Sequence, residues 1–153
     1  MSSQEFQKVY QLLSNRCSKK EISSKEALQY IAKFKLKLVE KHRVINQLKK
    51  NKFIDHQRYA HAFVHDRIKF YKWGKLKIKY QLLQKGVEEL FIDIALDKVD
   101  QDLYYNLIKE EAQKKHDSLG DPNDFNSKQK LSKYLNQKGF EGELIFEIVE
   151  NLY

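Results

Sequence analysis

A chain of 153 residues with 41% hydrophobic content can bury roughly two-thirds of the surface its unfolded form exposes, enough for one ordinary domain. One proline and five glycines leave too little turn chemistry for a many-stranded β fold, so helices are the expected building block. The formal charge of +8 is unevenly placed, at +12 through Val99 and −4 from Asp100 onward, which directs any anionic partner to the front two-thirds of the chain.

Helix signals recur along the chain, at 4 to 18, 23 to 33, 37 to 51, 55 to 71, 75 to 85, 88 to 98, 100 to 117, 126 to 138 and 142 to 151. Ser23-Ser24-Lys25-Glu26 has the layout of a capping box, in which a hydroxyl and a carboxylate satisfy free backbone N–H groups. In the helix from Asp55, Tyr59, Phe63 and Phe70 form one apolar stripe and Ala60, Val64, Ile68 and Tyr71 its neighbour; Phe70 is expected in the core, while Trp73 fits a core or a surface site equally. Lys75 to Tyr80 alternates with period 2 as a strand does. Leu76, Tyr80 and Leu83 also fit helical spacing, and the following Lys-Gly turn decides for helix. Gly120-Asp121-Pro122-Asn123 marks the clearest loop.

The segment Leu82-Leu83-Gln84-Lys85-Gly86-Val87 returns as Leu135-Asn136-Gln137-Lys138-Gly139-Phe140, and faintly as Ile31-Ala32-Lys33-Phe34-Lys35-Leu36. This period of 51 to 53 residues holds three short helices, so the chain is expected to be all-α: three tandem three-helix repeats, 1–54, 55–99 and 100–153, forming an elongated, curved helical array. Gly86 and Gly139 suit the left-handed position after a helix end. Ile31, Leu82 and Leu135, each four residues before its turn, are expected at equivalent buried positions.

Candidate chemistry is sparse. Cys17 stands alone, which excludes an internal disulfide and fits a reducing cytosol. No apolar run is long enough to cross a bilayer, and the first residues lack a signal-peptide layout, so a cytoplasmic protein with no membrane partner is expected. His56, His61 and His65 lack the His-Glu-x-x-His arrangement of a zinc site and read as solvent-facing. No phosphate-binding glycine loop or nucleophile elbow is present. No catalytic residues, metal or cofactor are expected, and the chain reads as a binding protein, not an enzyme. The informative feature is the run Arg67, Lys69, Lys72, Trp73, Lys75, Lys77 and Lys79, which interleaves cations with Phe70 and Tyr71 and suits phosphate contact and ring contact with a partner.

Phe53 to Arg67, then Lys72-Trp73-Gly74-Lys75-Leu76-Lys77-Ile78 and the Leu82 to Val87 turn, resemble the central signature of RecX regulators of the RecA recombinase. In that signature an apolar pair precedes an acidic position, followed by Arg-aromatic-Ala, a further Arg, Gly and the Lys-Gly turn; Asp55, Arg58, Tyr59, Gly74 and Gly86 occupy those places here. The resemblance covers essentially the whole chain, from Ser23 to Leu36 through Leu131 to Val149. It departs at His56, where a second acidic residue is common, and at Lys35, where the first repeat usually has Gly.

The resemblance implies tandem three-helix repeats that bind along the groove of a RecA filament on single-stranded DNA, inhibit its ATP hydrolysis and strand exchange, and so act in DNA repair, recombination and the SOS response. It allows weak direct contact with nucleic acid, and a monomer is expected. The alternative is a helical DNA-binding protein that acts on nucleic acid itself, since a basic three-helix unit is also similar to helix-turn-helix architecture. Asp55 and Arg58 carry two readings, as helix cap and structural ion-pair partner or as direct partner contacts.

Overall fold

A computed structural model describes residues 3–120 and 125–153; the Pro122 loop lies outside the described residues. Among them are nine helices and no strand: α1 (Ser3–Lys19), α2 (Ser24–Ile31), α3 (Leu38–Lys50), α4 (His56–Lys69), α5 (Lys75–Gln84), α6 (Glu89–Asp97), α7 (Gln101–Ser118), α8 (Phe125–Gln137) and α9 (Gly142–Leu152). The described chain forms two compact units, one of residues 1–62 with 82–92 and one of residues 63–81 with 93–153.

Local chemistry sets the helix starts. Ser23 accepts from the Glu26 N–H at 3.1 Å while the Ser23 N–H donates to the Glu26 carboxylate at 2.9 Å, completing the capping box of α2. Asp55 caps α4 by accepting from the Arg58 N–H at 3.0 Å, and Asp100 caps α7 in the same way through Leu103. At the other end of α5, the Val87 N–H reaches back to the Leu82 carbonyl at 3.1 Å and Gly86 takes a φ of +78°, the left-handed closure that glycine favours. Phe140, Leu135 and Gly139 repeat that arrangement after α8, with φ +93° at Gly139. The first turn differs: no left-handed residue occurs there, and it closes through Phe34 N–H to Ile31 and Leu36 N–H to Phe34. Lys35 is compatible with that backbone.

In the first unit, Val9, Leu13, Ala27, Ile31, Val44 and Leu48 form a fully buried core joined by Cys17 and Ile54. Burial pushes the Cys17 thiol up to about 11, so it stays protonated and inert. In the second unit, Ile108, Ala112, Leu131, Leu135 and Phe140 are the buried centre of α7, α8 and α9. Ile31, Leu82 and Leu135 are all fully buried, as the period of the repeat requires.

The segment at Leu76 is helical as expected, with Leu76 and Tyr80 facing outward at 54% and 60% exposure while Ile78 and Leu82 are buried. Two expectations are corrected. Phe70 is 67% exposed, because α4 ends at Lys69 and the chain leaves the core-facing register. His56 is buried, and not solvent-facing, because its ring is built into a helix start described below. His65 is exposed and His61 half-buried.

Candidate functional site

The signature residues act first as joints. In the first unit, Arg58 donates through Nε to the Glu21 carboxylate at 2.6 Å and through Nη2 to the Lys52 carbonyl at 3.0 Å. One planar guanidinium thus ties the loop after α1 to the loop before α4, a geometry that a lysine could not reproduce. Tyr59 is buried and its hydroxyl hydrogen-bonds Glu26. Burial alone would raise the Glu26 carboxyl, but the Ser23 N–H, the Lys85 charge and the Tyr59 hydroxyl together hold it below the usual range.

The start of α2 also receives the end of α5. Lys25 Nζ donates to the Gln84 carbonyl at 2.8 Å, Lys85 lies 3.6 Å from Glu26, and Gly86 sits against Lys25 with its missing Cβ 3.8 Å from the lysine Cβ. His56 Nε2 accepts the Ser24 N–H at 3.0 Å and Nδ1–H donates to Glu88 at 2.9 Å, which fixes the neutral Nδ1–H tautomer. An acidic side chain at this position could accept the same N–H, so the departure at His56 preserves the bond.

The second unit repeats the joint one register on. The Gly74 N–H donates to the Lys138 carbonyl at 2.7 Å and the Leu76 N–H to the Gly139 carbonyl at 3.0 Å. The Lys75 N–H donates to the Tyr104 hydroxyl at 2.9 Å, and that hydroxyl donates in turn to Glu141. Burial, then the Glu141 hydrogen bond, push the Tyr104 hydroxyl well above its ordinary value, so it remains a donor. The start of α5 is therefore capped by the turn after α8 and not by a side chain of its own, which supplies the orphan N–H groups with partners. The sequence pattern marked Gly139 but carried no sign of Tyr104 or Glu141, whose roles depend on long-range packing.

The basic run is partly gathered and partly dispersed. Arg67 lies over the rings of Phe63, Tyr71 and Trp73 at 4.2, 4.7 and 5.5 Å, and Lys77 Nζ lies 4.4 Å from the Trp73 ring. Tyr71 and Trp73 are tilted together at 5.7 Å. Trp73 is half-buried between two cations, neither of which pairs with a carboxylate among the described residues. Of the others, Lys79 is paired with Asp93 at 3.0 Å, while Lys75 over the Tyr104 ring at 4.9 Å, Lys72 on the Lys69 carbonyl at 2.8 Å and Lys69 over Phe70 at 5.4 Å lie outside the Trp73 cluster. Rings hold Arg67 and Lys77 in place without neutralising them, leaving their charge for an anionic partner.

Among the described residues no group of three or more His, Cys, Asp or Glu side chains could hold a metal ion, and no helix is long and apolar enough to cross a membrane.

The RecX second three-helix domain matches residues 55–96 and the RecX third three-helix domain matches residues 102–149. The regulatory protein RecX of Clostridium acetobutylicum is 35% identical over 124 residues, 78% of this chain and 56% of that protein. The regulatory protein RecX of Chlorobium phaeobacteroides is 27% identical over 154 residues, 100% of this chain and 99% of that protein. The chain thus spans about half the length of the clostridial relatives it matches and nearly the full length of the Chlorobium one. The crystal structure of RecX from Lactobacillus salivarius superposes with a TM-score of 0.86 at 22% identity, over 99% of this chain and 98% of that one.

Proposed function

The chain belongs to the RecX family of regulatory proteins, and we propose that it binds the RecA filament on single-stranded DNA and inhibits RecA ATP hydrolysis and strand exchange. The observation that carries this reading is the Arg67–Trp73–Lys77 cluster, an uncompensated pair of cations held on an indole within the part of the chain that bears the +12 charge. A filament presents both phosphate and acidic protein surface to such a site. Contact with neighbouring RecA subunits biases them toward an arrangement unsuited to growth, because a ligand shifts a conformational equilibrium by its differential affinity for the two states. No covalent chemistry by this chain is involved.

The working unit in this reading is a cytoplasmic monomer of three repeats, 1–54, 55–99 and 100–153, a division supported by the domain matches at residues 55–96 and 102–149. The test is RecA ATP hydrolysis on single-stranded DNA with increasing amounts of this protein. The rate is expected to fall in a saturable way; hydrolysis and strand exchange both unchanged at saturation would overturn the reading.

A further inference from the structure

A second cluster of ring-held cations lies in the first unit. The Arg16 guanidinium is 4.6 Å from the centre of the Tyr30 ring and Lys33 Nζ is 4.4 Å from the same ring. Lys33 also lies 5.5 Å from the Phe34 ring, which stands 6.2 Å from Tyr30. Arg16 belongs to the last turn of α1 and Lys33 follows α2, so the cluster joins the ends of two helices.

Two like charges on one ring repel each other, and the usual remedy is a carboxylate between them. Here no carboxylate pairs with Arg16 or Lys33 among the described residues. Two acids near in sequence are engaged elsewhere, Glu21 with Arg58 at 2.6 Å and Glu26 with its own cap and Lys85. The ring's negative face takes the carboxylate's place as organiser but leaves the net charge intact. Arg16 also stands 51 residues before Arg67, the same offset that relates Ile31 to Leu82. The arginine is thus repeat-equivalent in the two clusters, each near the end of the first helix of its repeat, whereas Tyr30 and Lys33 align with Gln81 and Gln84, so ring and lysine come from different positions in the two repeats.

We propose that Arg16, Tyr30 and Lys33 form a binding site for the phosphodiester backbone of single-stranded nucleic acid, separate from the Arg67–Trp73–Lys77 cluster and independent of RecA. Proteins that follow a strand without reading its sequence combine cations along its backbone with aromatic side chains, and here the Tyr30 ring orders the two cations in advance. Two ring-held cations that no carboxylate pairs with suit a ligand that carries a row of negative charges, as a polynucleotide does.

The test is fluorescence anisotropy of a labelled oligodeoxythymidine titrated with the full chain over a range of salt, without RecA. The R16Q/K33Q variant is expected to bind about tenfold more weakly, with a salt dependence shallower by about 0.7 in log–log slope for each phosphate no longer neutralised. Tyr30→Phe keeps the π face and should bind as the unmodified protein does; Tyr30→Leu should lose affinity while circular dichroism shows the helices intact. Unchanged affinity and slope in R16Q/K33Q overturn the proposal, as does failure of the unmodified protein to bind the oligonucleotide at low salt. Tighter binding of a duplex of equal length overturns its single-strand assignment. Weakened binding of R16Q/K33Q to RecA alone, with the oligonucleotide bound as before, gives the site to an acidic protein surface instead. All these outcomes are read on DNA alone or RecA alone, so they are distinguishable from the failure of filament inhibition.

Discussion

Gly74 and Gly139 approach so closely that a Cβ on Gly74 would fall 2.1 Å from the Gly139 carbonyl carbon, and one on Gly139 would fall 2.3 Å from Lys77 Cβ. Because the obstructing atoms are largely backbone, relief requires α5 to lift off the turn after α8, breaking the hydrogen bonds from the Gly74 and Leu76 N–H groups. Gly139→Ala is expected to cost at least about 3 kcal/mol, combining overpacking with a left-handed φ. Gly86→Ala, with a left-handed φ but its nearest neighbour 3.8 Å away, should cost only about 1 kcal/mol. Urea unfolding of the two variants measures the difference; equal losses would show that the close approach has no energetic consequence.

Core position and outward position on α5 should separate just as clearly. Leu82→Ala removes a fully buried side chain and should destabilise by roughly 2 to 5 kcal/mol. Leu76→Ala, at a 54% exposed site, should change stability by no more than about 0.5 kcal/mol. Thermal melts in which Leu76→Ala is the more damaging would reverse the assignment of the two faces.

Much of this architecture is legible in the sequence because local chemistry determines it. The Ser23–Glu26 box, the Asp55 cap and the Gly86 and Gly139 turns each specify a helix boundary within a few residues of chain. The facing of α5 is not legible in the same way, since Leu76, Tyr80 and Leu83 are as apolar as Ile78 and Leu82 and only the neighbours decide which stripe is buried. Arg67 and Trp73 can be picked out as members of a basic aromatic run, but the pairing of Lys79 with Asp93 on the next helix and the placing of Lys75 over the Tyr104 ring follow from how helices pack and not from the run itself. His56 is misread for the same reason, its partners Ser24 and Glu88 each being 32 residues away.

A different kind of illegibility affects Lys52, which has a φ of +63° where the Phe53 N–H closes α3 onto the Leu48 carbonyl at 2.8 Å. A lysine gives no sequence sign of a left-handed turn. Lys52→Gly removes the Cβ penalty of about 1 to 2 kcal/mol while adding unfolded-state entropy of about 0.4 to 1 kcal/mol. The expected net is a small stabilisation, read as a rise in the thermal midpoint; a clear fall would show that the lysine side chain contributes more than its backbone costs.

Glu26 gives the protein a specific sensitivity to acid. Its folded pKa lies below the ordinary value of 4.5 because the Ser23 N–H, Lys85 and Tyr59 outweigh the effect of burial. A carboxyl lowered on folding contributes stability above its unfolded pKa and loses it as pH falls through the folded one. Glu26→Gln should therefore be less stable than the unmodified protein at pH 7, with the gap closing as the pH falls from the ordinary carboxyl value of 4.5 through the lower folded one. Denaturation midpoints across that range provide the check, and a gap independent of pH would remove the charge from the explanation.

Functional variants of the basic surface should respect which cations are already paired. Lys79→Glu would place a carboxylate near Asp93, the present partner of Lys79 at 3.0 Å, and so would mix a local electrostatic loss with any loss of binding. Arg67→Gln with Lys77→Gln instead removes two cations that no carboxylate holds, leaving α4 and α5 with residues of good helix propensity. The pair should weaken inhibition of RecA ATP hydrolysis by about tenfold or more in the concentration required, with helical content unchanged. Raising the salt should weaken the unmodified protein more than the variant, since each phosphate left without its cation takes about 0.7 from the log–log slope on a single strand. Trp73→Ala should lose part of the inhibition, because Lys77 loses the ring that holds it while Arg67 keeps Phe63 and Tyr71 at 4.2 and 4.7 Å, whereas Trp73→Phe should retain most of it. Inhibition by R67Q/K77Q at the original concentration and salt dependence would show that the ring-held cations of the central signature are a solvated face and do not touch the filament.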